Sequence, residues 1–529
     1  MTSSVETYTR PTRPRQESAS TARDLLLALP FLILLYVQLA HHVMWRDELN
    51  ALAIVWDSPT IPSLFWHIHR EGHPWLWYVI LWIPSRFTQS VLVLKVVQGI
   101  VSTAIILFVA LRSPFRTWEK ALVLAGYFFV FEYTVLSRMY GVMLLMFVLY
   151  LWQRTTRPGN PILGAVFLGL IASVDTLGIM LSFALLLEYA YTAFERRHTS
   201  PLFSRKTAIS ASAVYGALLL VAVWSARPAA DISWRTTGRP FKDAKSMSHL
   251  YDAFLNFTIL PFFAVKSPRS HFFWNPDLHE GGHVYLLAYT MAMLIVLGIL
   301  YIGFRNRRSL LLLIACTILA GTAFRHFIYP GYERHFGIVF LAFLAAAWIV
   351  RAEEPSALLP ISVYILLAIS ALSGVWATIG SWKRPFSYDK AAAEWIVANH
   401  LENMPLVGEE DTSVVGVAEY LHRPIYQIEC ECVDTYLLFS SRRDSFTKSD
   451  APRRILRAAH FYHDQPLLFV RVFPMKPEEE EGLKSEGFQI EPLATFKEAE
   501  EIAENFYFYR LTLKDAASNA AAPHSTSVP

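Results

Sequence analysis

Charge is sparse in this sequence. Asp, Glu, Lys and Arg make up 17% of 529 residues, where a soluble globular chain carries roughly a quarter. A chain of this length would ordinarily divide into several water-soluble domains, and this one is too poor in charge for that. Cysteine is scarcer still. Cys316, Cys430 and Cys432 are the only three, too few for a disulfide scaffold or a four-cysteine zinc site. No charge of one sign dominates either: 47 Lys and Arg stand against 44 Asp and Glu, a formal net charge of +3. That excludes a nucleic-acid binder driven by bulk positive charge. The sequence holds no Walker-type glycine loop, no Ser/His/Asp triad motif and no HExxH, so those chemistries have no anchor here. No repeat of fixed period is present, which argues against a solenoid.

What remains is apolar. Hydrophobic residues reach 54%, and most of the chain is expected to dissolve in lipid. Residues 1–22 are polar, basic and without apolar periodicity, and read as a disordered cytoplasmic tail. Residues 24–45 are long enough to span a bilayer and lack a cleavage pattern, so they read as a signal anchor. Further apolar segments near 89–111, 118–136, 139–153, 161–174, 178–194, 206–225, 283–304, 309–325, 335–350 and 357–379 bring the expectation to about eleven spans. The fold class is thus a polytopic α-helical membrane protein, with a transmembrane domain over residues 23–383. From 384 to 515 the composition changes to helix-like stretches (388–401, 452–463, 477–486) alternating with strand-like runs (424–428, 466–473, 506–513). These predict a small extracytoplasmic α/β domain. Residues 516–529 are rich in Ala, Ser and Pro and read as a second disordered tail.

The charge of the connections sets the orientation. With the N-terminus inside, Arg112, Arg116 and Lys120, Arg154 and Arg157, Arg196, Arg197, Arg205 and Lys206, and Arg305, Arg307 and Arg308 all fall on the cytoplasmic side, as the positive-inside rule requires. The C-terminus is then outside. Residues 74–84 are apolar enough to resemble a span, but inserting them would invert every later loop. They are short and crowded with Trp75, Trp77, Tyr78 and Trp82, residues that favour the headgroup level, so they are laid flat on the outer surface. The outer loops are then 46–88, with two juxtamembrane helices broken at Pro59 and Pro74, and 227–282.

Several clusters sit at outer ends of spans. Trp45-Arg46-Asp47-Glu48 emerges from the first span with an acidic pair placed to serve as a general base for a membrane-borne substrate. The same pair also complements the dipole of a helix starting there. His67-x-His69-Arg70-Glu71-Gly72-His73-Pro74 has zinc-ligand residue types, but His67 and His69, two apart, face different sides of a helix and read equally as interfacial polar groups. Arg138, in Ser137-Arg138-Met139-Tyr140, either meets lipid phosphates or pairs with Glu132 below it. Arg334 and His335 close a polar hairpin that also reads as an interface anchor. Arg235, Arg239, Lys242 and Lys245 form a basic run in the second outer loop, usable as a phosphate clamp. Lys95, Glu132 and Glu188 are the candidates for mid-membrane charges that a transporter would use. Cys430 and Cys432, alternate residues of a strand-like run, read as small buried hydrophobes that do not bond to each other.

The order of a first span, Arg46-Asp47-Glu48, juxtamembrane helices ending in His73-Pro74-Trp75-Leu76, and then Arg138-Met139-Tyr140 resembles the GT-C glycosyltransferases that use polyprenyl-phosphate sugars. It is similar to bacterial members related to protein O-mannosyltransferases and to the aminoarabinose and galacturonic acid transferases of lipid A. Trp75 replaces a second proline of the family element, and Arg334-His335-Phe336 matches its late Arg-Tyr-Leu element only loosely. The resemblance covers about residues 24–350 by motif order. It implies an inverting glycosyltransferase of the inner membrane, with a polyprenyl-phosphate sugar as donor and an extracytoplasmic lipid, glycan or protein hydroxyl as acceptor. Asp47 would be the base, with Glu48 beside it; His73, Arg138, Tyr140, Arg235, Arg239, Lys242, Arg334 and His335 would bind donor phosphate or substrate. A divalent metal stays open, with Glu48 and His73 as its candidate ligands. The alternatives are a transporter or flippase for a lipid-linked glycan, or a non-catalytic scaffold presenting the C-terminal domain.

Overall fold

The computed structural model describes residues 14–198, 203–229, 247–264, 274, 278, 282–329, 331–437 and 439–514. The chain runs through α1 (Pro14–His41), α2 (Arg46–Trp56), α3 (Ile61–Ile68), α4 (Leu76–Ser85), α5 (Leu92–Arg112) and α6 (Thr117–Ala125), then a π-helical turn at Phe128–Glu132. It continues as α7 (Tyr140–Thr156), α8 (Pro161–Ala172), α9 (Thr176–Glu195), α10 (Arg205–Ser225), α11 (Met247–Ile259), α12 (Gly282–Phe304), α13 (Arg308–Phe327), α14 (Glu333–Glu353) and α15 (Ile361–Lys383). Among the described residues, eight helices are long and apolar enough to cross a membrane: α1, α5, α9, α10, α12, α13, α14 and α15. At 1.5 Å per residue, each matches the roughly 30 Å of a hydrocarbon core.

The other three expected segments form shorter pieces. They are α6 with its π turn, the 17-residue α7 and the 12-residue α8. Segment 74–84 becomes α4, ten residues long, or about 15 Å, half of what a span needs. Trp77 and Tyr78 are fully buried against the protein, so packing occupies the rings expected at the headgroups. Loop 46–88 holds three helices, α2 to α4, where two were expected. Residues 14–22, expected in the tail, are the first turns of α1; residues 1–13 and 516–529 lie outside the described residues.

α14 is the axis of the bundle. It is apolar all round and 89% of its span is buried, as a helix surrounded by others must be. Its two ends mark two faces about 25 Å apart. At one end Arg334 meets Asp47. At the other Arg351 pairs with Glu119, and Glu353 takes Arg307 at 2.7 Å and Arg196 at 3.2 Å. Lys120 meets Asp24 at 2.8 Å, and Arg154 meets Glu188 at 3.0 Å. The basic connections therefore gather at the face opposite Asp47. Glu188, a candidate mid-membrane charge, has its carboxylate held by Arg154 and by Thr192 Oγ1 at 2.8 Å. Glu188→Gln should leave Arg154 buried without a counter-charge and destabilise the protein by about 3–5 kcal/mol, readable as a lower midpoint in denaturant titration.

The C-terminal domain is a six-stranded sheet of order β3-β2-β1-β4-β6-β5, with β1 (Leu406–Gly408), β2 (Ile425–Gln427), β3 (Cys432–Asp434), β4 (Leu467–Arg471), β5 (Phe488–Phe496) and β6 (Phe506–Leu513). β1 is parallel to β2 and β4, and the remaining pairs are antiparallel. Its helices are α16 (Asp389–Ala398), α17 (Asp411–Tyr420), α18 (Ala451–Phe461) and α19 (Pro477–Ser485). Strand alternation explains the layering. Leu406, Leu468 and Val470 face α16 and α17; Val407 and Phe469 face α18 and α19.

The structure overturns the reading of Cys430 and Cys432, which form a disulfide with a Cα separation of 5.2 Å. They do not share one strand. Glu431 takes a left-handed conformation, φ 51°, and turns the chain between β2 and β3, which brings the two sulfurs together.

Candidate active site

The site begins where α1 ends. The chain is extended at Trp45 and turns into α2 at Arg46. Glu48, third residue of the helix, reaches back to accept the Trp45 N–H at 3.0 Å, a common N-terminal cap. It also meets His42 Nε2 at 2.9 Å and accepts the Ser137 N–H. Fully buried, Glu48 has both oxygens engaged in holding α1, α2 and the 133–139 segment together. Glu48→Gln should cost about 1.5–3 kcal/mol in thermal stability, while Asp47 keeps its own contacts.

Asp47 points elsewhere because successive helix residues lie about 100° apart. Its side chain is 26% exposed, with Arg334 Nη2 at 3.0 Å, Arg138 Nη2 at 3.7 Å and Arg46 Nε at 3.8 Å. Burial favours the protonated acid, but the three guanidiniums outweigh it and hold the carboxyl below its usual range. Asp47 is therefore ionised across neutral pH.

Each arginine is placed by a break in regular structure. Arg138 follows an unwound stretch after the π turn, where π geometry often marks function. Gln98 Nε2 donates to the Tyr133 carbonyl and Ser102 Oγ to that of Thr134, each at 2.9 Å, which satisfies backbone that lipid could not. Arg334 opens α14, its guanidinium 4.8 Å from the Tyr332 ring, 5.3 Å from Trp45 and 5.5 Å from Trp274. Close approach of α14 depends on Gly337, where a Cβ would collide with Tyr133 and Phe128. Tyr133 thereby donates to the Arg334 carbonyl at 2.6 Å. Among the described residues, Arg334 Nε and Nη1, Arg138 Nε and the Tyr140 hydroxyl are buried without a hydrogen-bond partner. Several donors around one carboxylate are what an anion's oxygens need.

His73 meets Asp175, absent from the sequence reading, at 3.1 Å between Nδ1 and Oδ2. Asp175 caps α9 through the Leu177 N–H at 2.8 Å. Burial pushes the Asp175 carboxyl up, but His73 and these hydrogen bonds bring it below its usual range. As a carboxylate it only accepts, so His73 Nδ1 carries the proton. The signal for Asp175 was an acid just ahead of an apolar helical run, an ordinary N-cap pattern. His335 Nδ1 accepts the Tyr332 N–H at 2.7 Å, and its ring meets Tyr140 edge-on at 6.1 Å.

Other expected pairings are absent. Glu132 does not hold Arg138: it accepts from Tyr127 at 2.7 Å and from Trp274 Nε1 at 2.9 Å. Trp274 is thus held at the site. Arg235, Arg239, Lys242 and Lys245 of that loop lie outside the described residues. His67 meets Ser58 Oγ and His69 the Arg227 carbonyl, each at 2.9 Å. Among the described residues no set of three His, Cys, Asp or Glu side chains is arranged to hold a metal, and Glu48 and His73 have separate partners.

The C-terminal domain roofs this face. Arg46 donates to Ser413 Oγ at 2.6 Å, and Arg70 to the Phe439 carbonyl at 2.8 Å. Asn50 donates to Glu71 and accepts the Leu437 N–H, both at 2.8 Å. No protein-family model matches the chain, and no curated protein matches it at a significant level.

Proposed function

We propose that the chain is a membrane glycosyltransferase of GT-C type, moving a sugar from a polyprenyl phosphate to a hydroxyl outside the cytoplasm. One observation carries this reading: a solvent-reached Asp47 among buried arginine N–H groups that have no acceptor among the described residues. In the reaction Asp47 takes the acceptor hydroxyl proton as that oxygen bonds to the anomeric carbon. The bond from that carbon to the phosphate oxygen breaks, and the departing phosphate takes its electron pair. Arg138 and Arg334 stabilise its growing charge. Arrival of the phosphate also draws these guanidiniums away from Asp47, so the base strengthens only when donor is bound.

The orientation that suits this chemistry places the N-terminus in the cytoplasm, the basic connections inside, and the Asp47 face with its C-terminal roof outside the inner membrane, with eleven segments in the bilayer. A transporter would instead work with charges free to move at mid-membrane. Glu188 and Glu132 are each tied into fixed hydrogen bonds, which favours the enzyme. The test is reconstitution of the purified protein in vesicles with a polyprenyl-phosphate sugar and envelope glycolipids, read by mass spectrometry. Covalent sugar on an acceptor is expected. Movement of intact lipid-linked sugar between leaflets, without transfer, would establish the transporter instead.

A further inference from the structure

Arg46 stands between acids of two domains. Its Nε lies 3.8 Å from Asp47 Oδ1 and 3.7 Å from Glu504 Oε1. Glu504, in the single turn Ile502–Glu504 before β6, is fully buried beside Asp389, the equally buried first residue of α16, and none of their four carboxyl oxygens has a hydrogen-bond partner among the described residues. Asp389 cannot swing away, because it is packed onto the backbone of α17 at Gly416, where any Cβ would collide with its carboxylate. Ser387 Oγ accepts the Asp389 N–H at 2.9 Å. Two neighbouring carboxyls away from water, with no donor in hydrogen-bond reach of either, cannot both ionise, so at least one keeps a proton.

Burial pushes the Asp389 carboxyl up to about 7, against the lowering pull of Glu504, Ser387 and Arg46. Burial and the charge of Asp389 push Glu504 well above its usual range. Among the described residues, the other charged or titratable groups that act on the assembly are Glu501 and Tyr332, on Arg46, and Tyr420, on Asp389. Raising the pH through about 7 therefore adds negative charge beside Arg46 and strengthens its hold there.

We propose that Glu504 and Asp389 are positioning residues for Asp47, acting through Arg46: the charge of the pair decides how much of the guanidinium remains for Asp47. By this route the C-terminal domain sets how tightly the base holds a proton. Once a donor phosphate engages Arg138 and Arg334, Arg46 becomes the main cation left on Asp47, and the control is greatest in the substrate complex. The inference rests on Asp47 being the base proposed above.

The variants should act in opposite directions. Glu504→Gln removes the competitor for Arg46, so the acid limb of the kcat profile, which reports the substrate complex, should move down by about one pH unit. Asp389→Asn frees Glu504 to ionise fully and hold Arg46, so the limb should move up. In an Arg46→Gln background, neither change should shift it. Loss of activity with an unmoved limb, or both limbs moving the same way, would mean a merely structural pair and would overturn the proposal. Asp389→Asn alone carries the test if Glu504→Gln is not recovered folded. Infrared titration of the full-length protein in nanodiscs reads the retained proton independently of transfer. A buried protonated carboxyl titrating near neutral pH, and lost in Asp389→Asn, is expected. Its absence from the wild type overturns the proposal, whereas a wild type that shows the band and transfers no sugar rejects the proposed function alone.

Discussion

Asp47→Asn is expected to lower sugar transfer at least about 100-fold, the lower end of what a positioned general base contributes. Asparagine keeps the size of the side chain and can still accept the hydrogen bond from Arg334, but it cannot take the acceptor proton. Donor binding should survive, measured by retention of the polyprenyl phosphate in native mass spectrometry. Single-turnover kinetics separate the two. A variant that turns over at near the wild-type rate would remove Asp47 from the chemistry. Glu48 is no natural substitute, because its oxygens already hold His42, Trp45 and Ser137.

Arg334→Lys should have an effect of similar size, about 100- to 1,000-fold in kcat, as found when one donor to a developing oxyanion is removed. Lysine retains the charge but not the planar group that lies among Tyr332, Trp45 and Trp274, nor its forked N–H pattern. The lost contact strengthens as the phosphate departs, so kcat should fall more than donor KM rises. A rise in KM alone would make Arg334 a ground-state anchor. Unchanged kinetics would reject phosphate binding at this position.

Parts of this architecture were legible in local sequence because local physics produces them. The ends of α10, α12 and α13 lie near their expected limits, since transfer of a continuous apolar run into lipid depends on that run alone. In the C-terminal domain α16, α18, β4 and β6 follow from period and breakers. β1 and β3, three residues each, the nine-residue β5 and α17 were missed; strands as short as β1 and β3 have almost no pattern of their own and exist through pairing, and Pro492 interrupts the pattern of β5. The Cys430–Cys432 bridge was misread for the same reason: a strand was assumed to continue where Glu431 reverses the chain.

The sequence by itself determined a lipid-soluble chain with a polar C-terminal domain, an acidic pair at the exit of the first span, and arginines at later ends. Only the tertiary structure decided how those groups are used. It turned Glu48 inward to brace three segments and left Asp47 facing Arg138 and Arg334; it gave Glu132 to Trp274, and His73 to an unsuspected Asp175. The physical reason is range. Apolar runs and helix periods depend on neighbours in the chain, whereas the partner of a buried charge is set by whichever distant segments packing brings within hydrogen-bond reach.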